Sequence, residues 1–197
     1  MNNKDGFTSA FLFRILVAGA VLLLAACSEP ARELPVNTRL GGDFTLTDHN
    51  GERFSLSSLN GEVVILFFGY THCPDICPAV LARVSQVYRN LKEQGEADRV
   101  QPVFVTFDPE RDTAEHLREY LPWFKADIIG LTGDVPAIQK VAEQYGVVFI
   151  KEEGDSGEAD FSHSDYIYLL DQQGRVRKLY PADFNIDEVV ADVKTLL

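Results

Sequence analysis

The run EVVILFFGY, residues 62–70, limits the possible folds of this chain more than any other stretch. Val63 to Phe68 is apolar without a break, so a strand formed here must be covered on both faces, which calls for helices above and below a sheet. PVFVTF at 102–107, Ile128 to Leu131 and YIYLL at 166–170 are further runs of the same kind, and GVVFI at 146–150 reads as another strand. Helical spacing fills the intervals. Val80, Val84, Val87 and Leu91 recur every three or four residues after Pro78, and Thr113 to Phe124 reads as a helix for which Asp112 and Glu115 offer a capping box. Two more helices are expected near Pro136–Tyr145 and Ile186–Leu196. DFTLTDHNGERFSLSSL alternates apolar and polar residues around Asn50-Gly51, a hairpin signal, while residues 151–160 read as a polar, acidic loop. YIYLL, the turn DQQG and VRKLY then supply an antiparallel edge. The alternation predicts an α/β fold: a central mixed, mostly parallel sheet flanked by helices, with an N-terminal β-hairpin.

In such sheets, sites form where strands end and helices begin. GYTHCPDICP, residues 69–78, occupies one of these junctions and places Cys73 and Cys77 four apart. Proline suits the first helical position, so Pro78 puts Cys77 at the cap and Cys73 in the loop, with both thiols facing a helix N-terminus. The dipole there favours thiolate by about 0.3–1 kcal/mol, enough to bring a thiol from about 8.5 toward about 7–8. A disulfide across so short a loop stabilises little. Thiolates serve equally in disulfide exchange and as soft metal ligands, so the spacing leaves redox and metal chemistry both open.

Of the four histidines, His49 lies in the hairpin turn and His116 on an amphipathic helix, and both read as solvated. His72 adjoins Cys73 but should point away from it. His163, in DFSHSDYIYLL, stands just before a buried strand.

The chain opens with Lys4, Arg14 and the apolar run Ile15–Ala26, ending at Cys27. A bilayer span needs about 20 residues, so this shorter run reads as an export signal. LAAC, residues 24–27, resembles the bacterial lipoprotein cleavage signal. The expected organisation is a signal peptide over 1–26, a tether over 27–41 lipidated at Cys27, and one domain over 42–197, anchored to the periplasmic side of a bacterial membrane. Such a compartment is oxidising. A net charge of −12 argues against nucleic acid as a partner.

GYTHCPDICP, VTFDPERDT at 105–113, and His163 ahead of YIYLLDQQG resemble, in this order and over most of residues 40–195, the three blocks of the Sco/SenC family of copper proteins. The resemblance implies a thioredoxin-like fold and a role in delivering copper to the dinuclear copper centre of cytochrome c oxidase, or in preparing its thiols. It also implies that one copper ion, Cu(I) or Cu(II), is held by Cys73, Cys77 and His163, that the cysteine pair is redox-active and able to form a disulfide, and that the partner is the copper-bearing oxidase subunit or another copper chaperone. Two thiolates and an imidazole suit three-coordinate Cu(I), whereas structural zinc takes four ligands. Asp75 or water would complete a Cu(II) set. Family members commonly carry Asp-His, but here Ser162 precedes His163, so Asp160 or Asp165 is the expected carboxylate behind the imidazole. Thioredoxin relatives place a cis-proline before the strand corresponding to YIYLL. This chain has no proline between Pro136 and Pro181, which leaves room for a metal. The Asp108-Pro109 and Asp112 positions of DPERDT read as structural, Asp112 as a helix cap. The alternative functions are a thiol-disulfide oxidoreductase, in which His163 is dispensable, and a copper or redox sensor.

Overall fold

The computed structural model describes residues 33–153 and 159–197. The signal peptide expected over 1–26 and the lipidation site Cys27 lie outside the described residues. Among the described residues, nine strands and four α-helices follow in chain order. The strands are β1 (Thr45–Asp48), β2 (Arg53–Ser55), β3 (Val63–Gly69), β4 (Val100–Thr106), β5 (Ile129–Thr132), β6 (Phe149–Glu153), β7 (Ala159–His163), β8 (Ile167–Leu170) and β9 (Val176–Tyr180). The helices are α1 (Ile76–Glu93), α2 (Ala114–Tyr120), α3 (Val135–Tyr145) and α4 (Ile186–Leu196).

Seven strands form one mixed sheet in the order β2-β1-β5-β4-β3-β8-β9, and β6 and β7 form a separate two-stranded ribbon. β3, β4 and β5 run parallel, while β8 pairs antiparallel with β3 and β9 with β8. This β-α-β unit, followed by an antiparallel pair and a closing helix, is the thioredoxin-like fold. As the unbroken apolar run requires, all seven residues of β3 are buried. β1 and β2 pair as expected around the Asn50-Gly51 turn, where Asp48 Oδ1 accepts from the amides of Asn50 and Glu52, and Gly51 takes a φ of +82°.

Three local expectations need correction. α1 begins at Ile76 rather than after Pro78: Asp75 is the N-cap, and Cys77 lies within the first turn. Proline is tolerated throughout a first turn because the amides there have no intrahelical acceptor. Thr113, not Asp112, caps α2, its hydroxyl accepting from the His116 amide. The acidic stretch read as a loop over 151–160 is strand at 151–153 and 159–160, within the β6–β7 ribbon, where Phe149 pairs with His163 and Lys151 with Phe161, while 154–158 lie outside the described residues. Alternate residues Phe149 and Phe161 pack against Phe107 while Ile150 and Ser162 face outward, so one covered face is enough to form the ribbon despite its polar sequence.

Part of the segment expected as tether lies on the domain. Leu34 is buried and its carbonyl accepts from the Arg177 guanidinium, while the amides of Asn37 and Gly41 donate to Val176 and Gln144 at 2.8 Å each.

Candidate metal centre

Cys73 and Cys77 are carried by the turn from β3 into α1. Cys77 is fully buried; its neighbour across the turn, Gly69, has no room for a side chain, because a Cβ there would meet the Cys77 sulfur at 2.9 Å. Cys73 lies nearer the surface at 8% exposure, and its sulfur accepts from the Cys77 amide at 3.4 Å. Only Cys73 therefore faces the helix N-terminus as an acceptor, which corrects the expectation that both thiols would.

The two sulfurs behave oppositely. The Cys73 thiol is held down to about 3, chiefly by the Cys77 thiol donating to it, with His163 and the amides of Cys77 and Asp75 adding to the effect against the opposing cost of burial. Cys77 is pushed well above the ordinary thiol range by the same hydrogen bond and by its burial. The pair therefore holds one proton, on Cys77, and one negative charge, on Cys73. Neither Cys73 nor Cys77 is in a disulfide.

His163 reaches them from the end of β7. Its Nε2 lies 3.7 Å from the Cys77 sulfur, and the ligand atoms of Cys73, Cys77 and His163 all fall within 4.8 Å of one another. Bonds of about 2.3 Å to sulfur and about 2.0 Å to nitrogen, 120° apart, would separate those two donors by about 3.7 Å. The arrangement thus fits a trigonal ion with little adjustment. His163 Nδ1 donates to the Ser164 carbonyl at 2.9 Å, which leaves Nε2 to face the sulfurs. The orienting partner is thus a backbone carbonyl. Asp165 acts only through its charge, and the Asp160 side chain lies outside the described residues. Burial lowers the His163 pKa, but the hydrogen bond to Cys73, the Ser164 carbonyl and the nearby negative charges outweigh it and leave it raised. Tyr70 meets the imidazole edge-on at 6.1 Å and Phe107 lies 4.9 Å away, so an apolar wall backs the ring. A Cu(I) ion binding here needs one proton to leave Cys77, and a second from His163 where the ring is charged.

Asp75, the candidate fourth donor for Cu(II), is an exposed N-cap whose side chain makes no capping bond. Of the remaining histidines, His49 and His116 depart from expectation. His49 Nδ1 accepts from the Gly130 amide at 3.0 Å. His72 turns away from the sulfurs, as expected, and stacks on His116 at 5.4 Å. His116 is half-buried rather than solvated, with Nε2 2.8 Å from the Thr71 hydroxyl. Asp112 is fully buried: it accepts from the Thr71 amide at 2.9 Å, the Thr71 hydroxyl at 2.5 Å and the Thr106 hydroxyl at 2.6 Å. Sequence reasoning missed this group. The signal that could have found it is topological: β3 and β4 are parallel neighbours, so the loops leaving their C-terminal ends, carrying Thr71 and Asp112, emerge side by side.

Residues 32–197 match the SCO1/SenC family. An SCO2-like protein of Rickettsia felis is 34% identical over 189 residues, covering 91% of this chain and 91% of that protein. The solved structure of Bradyrhizobium japonicum ScoI with copper bound is similar at a TM-score of 0.73 and 39% identity, covering 80% of this chain and 99% of that one. Arabidopsis thaliana ScoI with copper bound gives 0.74 and 36%, covering 79% and 97%. The match spans the described domain from its first residues to its last helix and includes both arms of the thiol and imidazole cluster, so the chain belongs to the SCO1/SenC family.

Proposed function

We propose that this protein is a copper metallochaperone that carries one copper ion on Cys73, Cys77 and His163 and delivers it to the dinuclear copper centre of cytochrome c oxidase. The observation that carries this reading is the approach of His163 Nε2 to within 3.7 Å of the Cys77 sulfur, across 86 positions of sequence. Two sulfurs and one imidazole make a donor set suited to Cu(I), and the copper-bound structures of related ScoI proteins support copper as the cargo. Release proceeds by ligand exchange: donors of the recipient replace those of the chaperone one at a time, without a change in oxidation state. The recipient is the copper-bearing oxidase subunit or an intermediate chaperone. In this reading a lipid on Cys27 tethers the domain to the periplasmic side of a bacterial membrane.

One observation favours a second reading. The ionised Cys73 beside the protonated Cys77 is the pairing that thiol-disulfide exchange uses, with Cys73 attacking a partner's disulfide and Cys77 resolving the mixed disulfide. Anaerobic Cu(I) titration of the reduced protein, run beside a disulfide reductase assay, separates the two. A chaperone loses copper affinity in His163→Ala. Undiminished affinity in that variant, with strong reductase activity in both proteins, would instead favour the exchange enzyme.

A further inference from the structure

On the far side of the cysteine loop a second set of ligand-type side chains converges. Ligand atoms of His72, Asp112 and His116 lie within 4.8 Å of one another, and Asp112 Oδ1 is 3.5 Å from His72 Nδ1. Donors around a tetrahedral ion with bonds of about 2.0–2.1 Å stand about 3.3–3.4 Å apart. The Thr71 hydroxyl now occupies the middle of the group, 2.5 Å from Asp112 Oδ1, 2.8 Å from His116 Nε2 and 3.1 Å from His72 Nδ1. A hydroxyl has one hydrogen, and the shortest contact assigns it to the carboxylate. Both imidazoles then direct N–H groups at the same oxygen. Three side chains from three segments are thus aimed at one point, which a neutral hydroxyl fills.

Three features go beyond a hydrogen-bond brace. Asp112 is fully buried, and the His72 imidazole lies within ion-pairing distance of it, so an interior carboxylate faces two imidazole rings. Its other oxygen is already oriented by the Thr71 amide and the Thr106 hydroxyl, the outer support a ligating carboxylate needs. His72 is exposed at the surface, which gives an ion access.

We infer that His72, Asp112 and His116 form a second metal site, distinct from the thiol centre, that takes a borderline divalent ion. Two imidazoles and a carboxylate are the donors such ions prefer, and the general order of affinities puts Cu(II) ahead of Zn(II). On binding, Thr71 turns aside about its χ1 bond and the ion replaces the hydroxyl as the group that joins the three side chains. Each imidazole offers the ion the ring nitrogen that faces the hydroxyl and carries its proton on the other nitrogen. Since His72 precedes Cys73, occupancy also braces the cysteine loop. The protein then has capacity for two ions of different character, a soft one on the sulfurs and a borderline one here.

The test removes the first centre altogether. A Cys73→Ser/Cys77→Ser/His163→Ala protein is titrated with Cu(II), and its stoichiometry after dialysis and its electron paramagnetic resonance spectrum are recorded. One Cu(II) per chain is expected, with hyperfine structure from two nitrogens. Adding His72→Ala or His116→Ala is expected to weaken binding at least tenfold with an unchanged circular dichroism spectrum, and adding His49→Ala to leave it unaltered. Loss of all copper on dialysis overturns the inference, and so does affinity that is indifferent to both His72→Ala and His116→Ala. Because the thiol centre is absent from every protein compared, the outcome is independent of the function proposed for it.

Discussion

The two arms of the thiol and imidazole cluster are built in opposite ways. The cysteine arm grows out of the core: β3 is buried along its whole length, Cys77 is fully enclosed, and the Thr71 amide and hydroxyl are fastened to the interior carboxylate of Asp112. The histidine arm is a two-stranded ribbon outside the main sheet, with Val148 and Ile150 exposed to solvent at 63% and 57%. A lone ribbon is marginal in water. This one is held by the contact of Phe149 and Phe161 with Phe107, by reciprocal hydrogen bonds between Val148 and Ser164, and by an exposed Lys151–Glu110 ion pair. The difference teaches that the site combines a fixed pair of sulfurs with an imidazole on the least anchored element nearby. On the proposed carrier reading, that division lets the seating of the ribbon decide whether the ion has three ligands or two.

The harshest way to break this contrast is to remove what seats the ribbon. Phe107 is buried beneath both of its aromatic residues and beside His163, so Phe107→Ala is expected to cost about 3–5 kcal/mol in urea denaturation. It should also raise amide hydrogen exchange in β6 and β7 well before β3 and β4 respond, because locally anchored elements open below the global free energy. Next in size is an attack on the fixed arm. Cys77→Ser is expected to lower Cu(I) affinity by more than the 10- to 100-fold typical of changes behind a ligand, read by competition against a chelator, with ribbon exchange unaltered. Gly69→Ala is a subtler probe of the same arm. The new Cβ would meet the Cys77 sulfur and the Phe67 ring at 2.9 Å each, and the expected cost is about 1–3 kcal/mol with weaker copper binding.

The smallest effect sharpens the electrostatics. With the Cys73 thiol held near 3, its thiolate is fully formed well below neutrality, so its alkylation rate in the reduced, copper-free protein should be flat between about pH 5 and about pH 8. Cys77→Ala removes the largest cause of the depression. The Cys73 pKa then rises, and the rate should fall as pH is lowered through the new value.

How much of this was legible in the sequence follows the same division. The core arm announced itself: the unbroken apolar run fixed β3, the helical period fixed α1, and the junction located the cysteines. The closing helix from Ile186 to Leu196 and the Asn50-Gly51 hairpin were equally plain, since caps and turns act over a few residues. Of the ribbon only its start, in GVVFI, was legible, because Lys151 and the acids beside it carry no strand signal; its formation rests on Phe149 and Phe161 finding Phe107 from more than 40 positions away. His163 was reached through a motif resemblance, not through any local property of its own. His116 and Asp112 were misread as solvated and capping because their partner, Thr71, arrives only when parallel strands align the loops that follow them.

The claim most worth testing is that an imidazole from the weakly held ribbon joins two core-held sulfurs on a single ion. X-ray absorption at the copper edge of the anaerobically loaded protein tests it directly. The expected spectrum shows two sulfur neighbours and one nitrogen, with the nitrogen lost in His163→Ala. A two-sulfur spectrum that is the same in both proteins would contradict it.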